Sequence, residues 1–293
     1  MSQRSGSTSG GTRGRGGAGG ARHEADGRRP SQAHPSQPRK GFHPSRNSSK
    51  VEAAAKRRRA RIKARKEARK TGVPGEEVVQ PHEPVLEVRP FSSVDFPSLV
   101  QLMPPEWFMD GMSAAERQEQ ARADLSQALA KATLALVATI DDGTGFDPRC
   151  VGFALARVPS LPAIPGSASW REGAQAALQA LAAGSPAARR AHEYVGGLDE
   201  RDRMLTQAAG EARGQDNELL LFVVSPEERG NGVGGALIGE FERRLRDAGQ
   251  QGYWLQTDTT CTWQWYDAHG YERVASIDLG DGFGAMMYRK RLG

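Results

Sequence analysis

The sequence predicts an α/β (α+β) fold: a mixed, mostly antiparallel sheet flanked by helices, with a helical insertion and a disordered basic N-terminal arm. Three observations predict it. The charge is divided, with 20 Lys and Arg against 4 Asp and Glu in residues 1–70 and 20 against 31 in residues 71–293, so a basic arm precedes an acidic globule. From Val85 onward, short runs suited to strands alternate with amphipathic helical patterns. Finally, Glu218 to Leu237, ELLLFVVSPEERGNGVGGAL, reads as a buried strand, a glycine-rich turn and a helix start.

Residues 1–50 are rich in Gly, Ser, Arg and Pro and hold too little apolar surface to offset their ordering entropy, so they are expected to be disordered. Residues 51–71 are helix formers with a dense positive charge and only Val51 and Ile62 as sizeable apolar groups. Such a segment suits an electrostatic contact with nucleic acid, the ribosome or another anionic surface through residues 51–70, or else a solvated tail. Residues 72–84, with Pro74, Pro81 and Pro84, form a linker, and 85–293 the folded domain.

Within that domain, Val85–Arg89 alternates like a half-buried strand. Ser93 is placed to cap a short helix carrying Phe96, Leu99 and Met103, which Pro104 and Pro105 end. Ser113 and Glu116 make a capping box for a helix over Ala114–Lys131. Thr133–Ile140 and Cys150–Val158 read as an antiparallel pair. Residues 159–217 form the helical insertion, with helices expected over Trp170–Ala183, Pro186–Tyr194 and Asp199–Ala212. It is expected either to lie as a lid over the glycine-bearing strand or to pack on one sheet edge. Leu237, Phe241 and Leu245 then form a helical stripe that Gly249 closes. Strands over Tyr253–Thr257, Tyr271–Ile277 and Ala285–Arg289 complete the sheet, with one or two helical turns in Thr262–His269.

The glycine turn is where chemistry concentrates. Gly230, Gly232, Gly234 and Gly235 let the backbone take positive φ and come close to a ligand, so successive amides can face one anion ahead of a helix dipole. A Walker loop requires Lys then Ser or Thr after its last glycine, and Gly235-Ala236 does not supply them. A dinucleotide fingerprint fits the spacing only out of its structural context.

Cys150 and Cys261 form neither a disulfide framework nor a zinc spacing, which makes a reduced, cytoplasmic setting the expectation and no metal the expected state. No apolar stretch suits a signal peptide or a membrane span, so no membrane association is expected.

Two ordered motifs, Arg229-Gly230-Asn231-Gly232-Val233-Gly234 and Trp265-Tyr266-Asp267-Ala268-His269-Gly270-Tyr271, resemble those of the GNAT-type N-acetyltransferases. The resemblance covers Glu218–Arg289 and extends back toward Val85. It implies six or seven strands around a splayed pair, with acetyl-CoA as co-substrate. Its pantetheine would run along the strand that carries Phe222, Val223 and Val224. Its pyrophosphate would rest on the amides of Arg229, Gly230, Asn231, Gly232, Val233, Gly234 and Gly235. Tyr266 falls where many members place the acid that protonates the leaving thiolate, and Glu218 where some keep a general base. Asp258 and His192 are further candidates for the base. Thr259 stands near where many members have an Asn that contacts the CoA arm, a departure from the family's pattern. Cys261, without a nearby His in sequence, reads as a small buried thiol.

The implied reaction is transfer of acetyl to a primary amine, on a small molecule or a peptide, by direct attack. The alternative is an inactive CoA-binding, nucleic-acid-associated or ribosome-associated module that uses the basic arm. The acceptor pocket is expected from Phe91–Met112 and the insertion, with Trp107, Phe108 and Trp170 as lining or core.

Overall fold

A computed structural model describes residues 84–143, 147–280 and 282–293. The expectations for residues 1–50, 51–71 and 72–83 lie outside the described residues.

Seven strands form one sheet: β1 (Val85–Pro90), β2 (Leu134–Asp141), β3 (Arg149–Arg157), β4 (Glu218–Val224), β5 (Gly252–Asp258), β6 (Glu272–Asp278) and β7 (Gly284–Arg291). Their order is β1-β2-β3-β4-β5-β7-β6. Every neighbouring pair is antiparallel except β4 and β5, which run parallel. This is the mixed, mostly antiparallel sheet the sequence leads one to expect.

The helices are α1 (Phe96–Leu102), α2 (Ala114–Lys131), α3 (Ser167–Ala183), α4 (Pro186–Gly196), α5 (Leu198–Ala209), α6 (Val233–Asp247) and the short α7 (Gln264–Ala268). The capping box of α2 forms as expected, with Glu116 N–H donating to Ser113 Oγ at 3.2 Å and Ser113 N–H to Glu116 Oε2 at 2.7 Å. Ahead of α1 the cap is Ser92 and not Ser93, because Ser92 N–H finds Asp95 Oδ2 at 2.8 Å while Ser93 already opens a 3₁₀ turn. The third helix of the insertion ends at Ala209 and not at Ala212: Gly210, at φ 52°, breaks the α-helical run into a 3₁₀ turn over Gly210–Arg213.

Side chains alternate between two faces of the sheet. On the first face, Val233, Leu237, Phe241 and Leu245 of α6 pack on Leu136, Ala154, Leu219, Tyr253 and Leu255. On the second, Leu125 and Leu129 of α2 cover Val137, Phe153, Leu155 and Val223. Further along that face, Leu205 and Ala209 of α5 cover Trp254, Ala275, Ala285 and Met287. Alanine-rich faces of α3 and α4 then stack on α2 through Ala123, Ala177, Ala188 and Ala191, where small side chains let helices approach closely. The insertion is therefore neither a simple lid nor an edge appendage: α5 closes half of one sheet face and α3 adds an outer layer to the other half.

Candidate active site

The parallel pair creates the site. β4 and β5 pair only through Glu218 with Trp254 and Leu219 with Leu255. Beyond Leu219 and Leu255 the two strands separate, and the side of β4 that faces β5 has no strand partner. At the same level β4 bulges, since Leu155 pairs with Leu221 while Ala156 pairs with Leu219, leaving Leu220 as the extra residue. The bulge turns Leu220 and Leu221 to the same face, where both pack with the α2 cluster, and returns Phe222 and Val224 to the α6 face. Unpaired backbone groups on a strand edge are an invitation to an extended ligand chain carrying amides of its own.

At the far end of β4 a 3₁₀ turn over Pro226–Glu228 leads into the glycines. Gly230 and Gly232 have φ of 80° and 86°, and a Cβ on either would meet nothing within 4 Å, so both border open space. Gly234 serves packing instead, because a Cβ there would lie 3.4 Å from Phe222 Cζ and 3.6 Å from Val224 Cγ2. No side chain caps α6, whose first backbone bond runs from Ala236 N–H to Gly232 O at 2.9 Å. The amides of Val233, Gly234 and Gly235 precede that bond and face outward at the positive end of the helix dipole.

Side chains beside the loop are tied to one another. Arg149 Nη2 lies 2.7 Å from Glu228 Oε1, and Asn231 Nδ2 donates to Glu228 Oε2 at 2.9 Å. Arg229 Nε donates to Val224 O at 3.3 Å, and its Nη2 lies 3.8 Å from Glu106.

On the α6 face an aromatic group borders the cleft. The rings of Phe222 and Trp265 lie 5.6 Å apart, Trp265 and Tyr266 5.4 Å, and Tyr266 and Tyr288 5.3 Å. Every other tyrosine in this chain has a bonded hydroxyl. Tyr253 and Tyr271 share a 2.6 Å contact, Tyr288 donates to Asp267 at 2.8 Å, and Tyr194 accepts from Arg201 at 3.1 Å. Tyr266 alone has a hydroxyl with no hydrogen bond among the described residues. Burial raises its pKa, and Tyr271, Cys261 and Tyr288 add to the effect, so it stays a protonated donor at neutral pH.

The other expected site residues are placed as follows. Glu218 sits at the closed end of the cleft, where Arg157 Nη2 approaches its Oε2 to 3.1 Å; burial raises its pKa and Arg157 opposes the rise. Phe222 and Val224 turn toward α6, while Val223 is buried against α2, so only its backbone is available to a ligand. Thr259 is exposed and fastened to β7, its N–H donating to Gly284 O at 3.0 Å and its Oγ1 accepting from Gly284 N–H at 3.2 Å. Asp258 is held by Arg201 at 3.3 Å and by Thr260 N–H at 3.0 Å. The Cys261 thiol is half-buried and raised by that burial.

One residue the sequence did not single out is Asp124 of α2. Burial drives its carboxyl up to about 7, against a smaller downward pull from Gln120. The one signal in the sequence was a carboxylate set within the buried stripe Ala121, Leu125 and Ala128.

A cavity of about 1050 Å³ lies elsewhere, between the β1–β2 edge and helices α2 and α3. Phe91 and Trp170 line it as expected of an apolar pocket, but it touches neither the glycine loop nor Tyr266. The cleft is assigned by its chemistry and not by its size. Among the described residues there is no cluster of three or more His, Cys, Asp or Glu able to hold a metal, and no helix long and apolar enough to cross a membrane.

No protein-family profile matches this chain, and no curated protein matches its sequence. Its structure is similar to several solved ones. A mosquito arylalkylamine N-acetyltransferase like 5b is 13% identical with a TM-score of 0.44, over 71% of this chain and 100% of that one. The ribosomal-protein-S18-alanine N-acetyltransferase of Escherichia coli is 12% identical with a TM-score of 0.39, over 71% and 94%. Aminoglycoside 6'-acetyltransferase type Ii is 15% identical with a TM-score of 0.41, over 70% and 96%. Identities this low speak to fold alone, and TM-scores below 0.5 add no weight to a functional assignment.

Proposed function

We propose that this protein is an acyl-CoA-dependent N-acetyltransferase that moves acetyl from acetyl-CoA to a primary amine by direct attack. The observation that carries the reading is the build of β4: one strand whose open edge, past Leu219, leads to an uncapped helix start with two glycines at positive φ. An extended, amide-bearing chain ending in a pyrophosphate matches both parts, with pantetheine along Phe222, Val223 and Val224 and phosphates on the amides within Arg229 to Gly235 other than that of Asn231, which donates to Glu228 O at 3.1 Å. Thr259, just past the end of β5, is the residue this reading assigns to the CoA arm.

In this reading the acceptor nitrogen attacks the thioester carbonyl, the C–N bond forms and the C–S bond breaks. Tyr266, the phenol without a partner, gives its proton to the departing sulfur, and the amide nitrogen returns a proton to the phenolate. The incoming ammonium must first lose one proton to a base and thence to solvent. Glu218, Asp124 and Asp202 are carboxylates near the sheet whose pKa burial raises toward that role.

Calorimetry with acetyl-CoA tests the reading. Micromolar binding that Gly232→Glu removes supports it, and no binding by the native chain at high micromolar concentration sinks it.

A further inference from the structure

Several buried polar atoms on the second face of the sheet, among them Gln120 Oε1, Gln256 Oε1 and Arg201 Nε, are left without partners. Helix α2 runs opposite to β4: Lys131 at its end acts on Glu218 at the strand's start, whereas Glu106, ahead of the helix, reaches Arg229 beyond the strand's end. Asp124 precedes Lys131 by two helical turns, about 10 Å. It therefore lies level with a point about three residues along β4 from Glu218, at Leu221, just past the last paired residue.

On β5, Trp254 is opposite Glu218 and faces α5, so by alternation Gln256 and Asp258 face the same side. Arg201 of α5 ties Asp258 to Tyr194 of α4. Tyr194 is within electrostatic reach of both Asp124 and Asp258. Asp124 and Lys131 of α2, Tyr194 of α4, Arg201 and Asp202 of α5, and Glu218 and Asp258 of the strands are the titratable and charged groups of this side, while α3 brings Ala177 and Leu181 to the cluster that holds Ala123 of α2.

Buried polar atoms here lack partners. Gln120 is 1% exposed, and its Nε2 donates to Trp107 O at 3.1 Å, but its Oε1 accepts nothing. Both amide atoms of Gln256 and Nε of Arg201 are also buried and unbonded. Asp124 has no ion pair among the described residues. Each buried orphan carries a desolvation cost that packing alone does not offset. A primary ammonium has three N–H donors and no acceptor, and the Asp124 carboxylate, in contact with Gln120, lies one helical turn from the unbonded Gln120 Oε1 on the same side of α2.

Resting on the acetyltransferase reading, we propose that a primary alkylammonium acceptor binds on the α2–α5 side of the β4–β5 cleft and that Asp124 takes the proton it loses before attack. The donor would then approach from the glycine loop and the acceptor from the second face, meeting where the strands part. Glu218, held by Arg157, positions the closed end of the cleft. The raised carboxyl of Asp124 agrees with a base that works near neutral pH.

The test measures thiol release from acetyl-CoA with butylamine, 1,4-diaminobutane and benzylamine between pH 5.5 and 9. Native protein is compared with Asp124→Asn and Glu218→Gln, and acetyl-CoA affinity is measured in parallel by calorimetry. The expectation is unchanged donor affinity in Asp124→Asn and a loss in amine kcat/KM of about 100-fold or more. The acidic limb of its pH profile should also disappear, while Glu218→Gln keeps that limb. Retention of the limb in Asp124→Asn, its loss in Glu218→Gln alone, or a native protein that binds acetyl-CoA and acetylates none of the three amines overturns the proposal. Failure of the native chain to bind acetyl-CoA instead sinks the acetyltransferase reading.

Discussion

Tyr266 and Tyr271 meet edge to face with ring centroids 5.1 Å apart, yet only Tyr271 has a partner for its hydroxyl, the hydroxyl of Tyr253 at 2.6 Å. Two phenols in one aromatic group therefore have separable tasks. Tyr266→Phe removes no protein hydrogen bond, so thermal unfolding should stay within about a degree while turnover falls by about 100-fold at unchanged donor affinity. Tyr271→Phe breaks the buried pair and should lower stability by about 1–2 kcal/mol. If Tyr266→Phe turns over normally, the phenol is not the acid.

The glycine loop predicts a graded response. Gly232→Ala places a small side chain in open space at φ 86°, so its cost is conformational, about 1 kcal/mol of stability, with a modest loss of donor affinity. Gly232→Glu adds a negative charge beside the uncapped start of α6 and should weaken acetyl-CoA binding by more than 100-fold in calorimetry. Equal effects of the two variants would mean that backbone strain, and not the anion site, sets the affinity.

Arg157 and Glu218 form a cross-strand pair at the closed end of the cleft. Arg157→Ala leaves a largely buried carboxylate with only the more distant Lys131 acting on it and should cost about 1–3 kcal/mol in denaturant unfolding. Without Arg157 to oppose it, burial raises the Glu218 pKa further, so the cost should grow as pH rises and shrink in acid, where Glu218 protonates. Glu218→Gln, which removes the charge and keeps the shape, should cost less than Arg157→Ala at pH 8.

Asp124 makes stability depend on pH in the opposite sense to a salt-bridged carboxylate. Its folded pKa, about 7, stands above the ordinary value of 3.8, so between these values the folded state binds more protons than the unfolded one. Stability therefore falls as pH rises from 4 through 7, by up to about 4 kcal/mol. Asp124→Asn should flatten that slope and make the protein more stable than the native chain at pH 8, measured by urea unfolding at several pH values. A native chain with no loss of stability across this window would show that Asp124 is well solvated.

How much was legible in the sequence follows from how local each signal is. The Ser113–Glu116 capping box and the stripe of α6 are set by residues within a few positions of one another, and both appear where spacing placed them. The run Leu219–Val224 marked a buried strand but hid the bulge, since a continuous apolar stretch has no alternation in which a doubled residue shows. The insertion could be divided into helices but not placed, because alanine-rich faces fit many partners and only the sheet determines that α5 covers Trp254 and Met287.

By itself the sequence determined the backbone geometry of the glycine turn, from which we infer an anion site, because positive φ and free helix amides belong to a few consecutive residues. It also marked Tyr266 by its place in a short motif. Only the tertiary structure decided that β4 and β5 part after Leu219 and Leu255, that Tyr266 has a free hydroxyl, and that Asp124 lies level with the open cleft. Those facts depend on the relative placement of elements far apart in the chain, and strand pairing and helix packing fix such placement through contacts that no local spacing encodes.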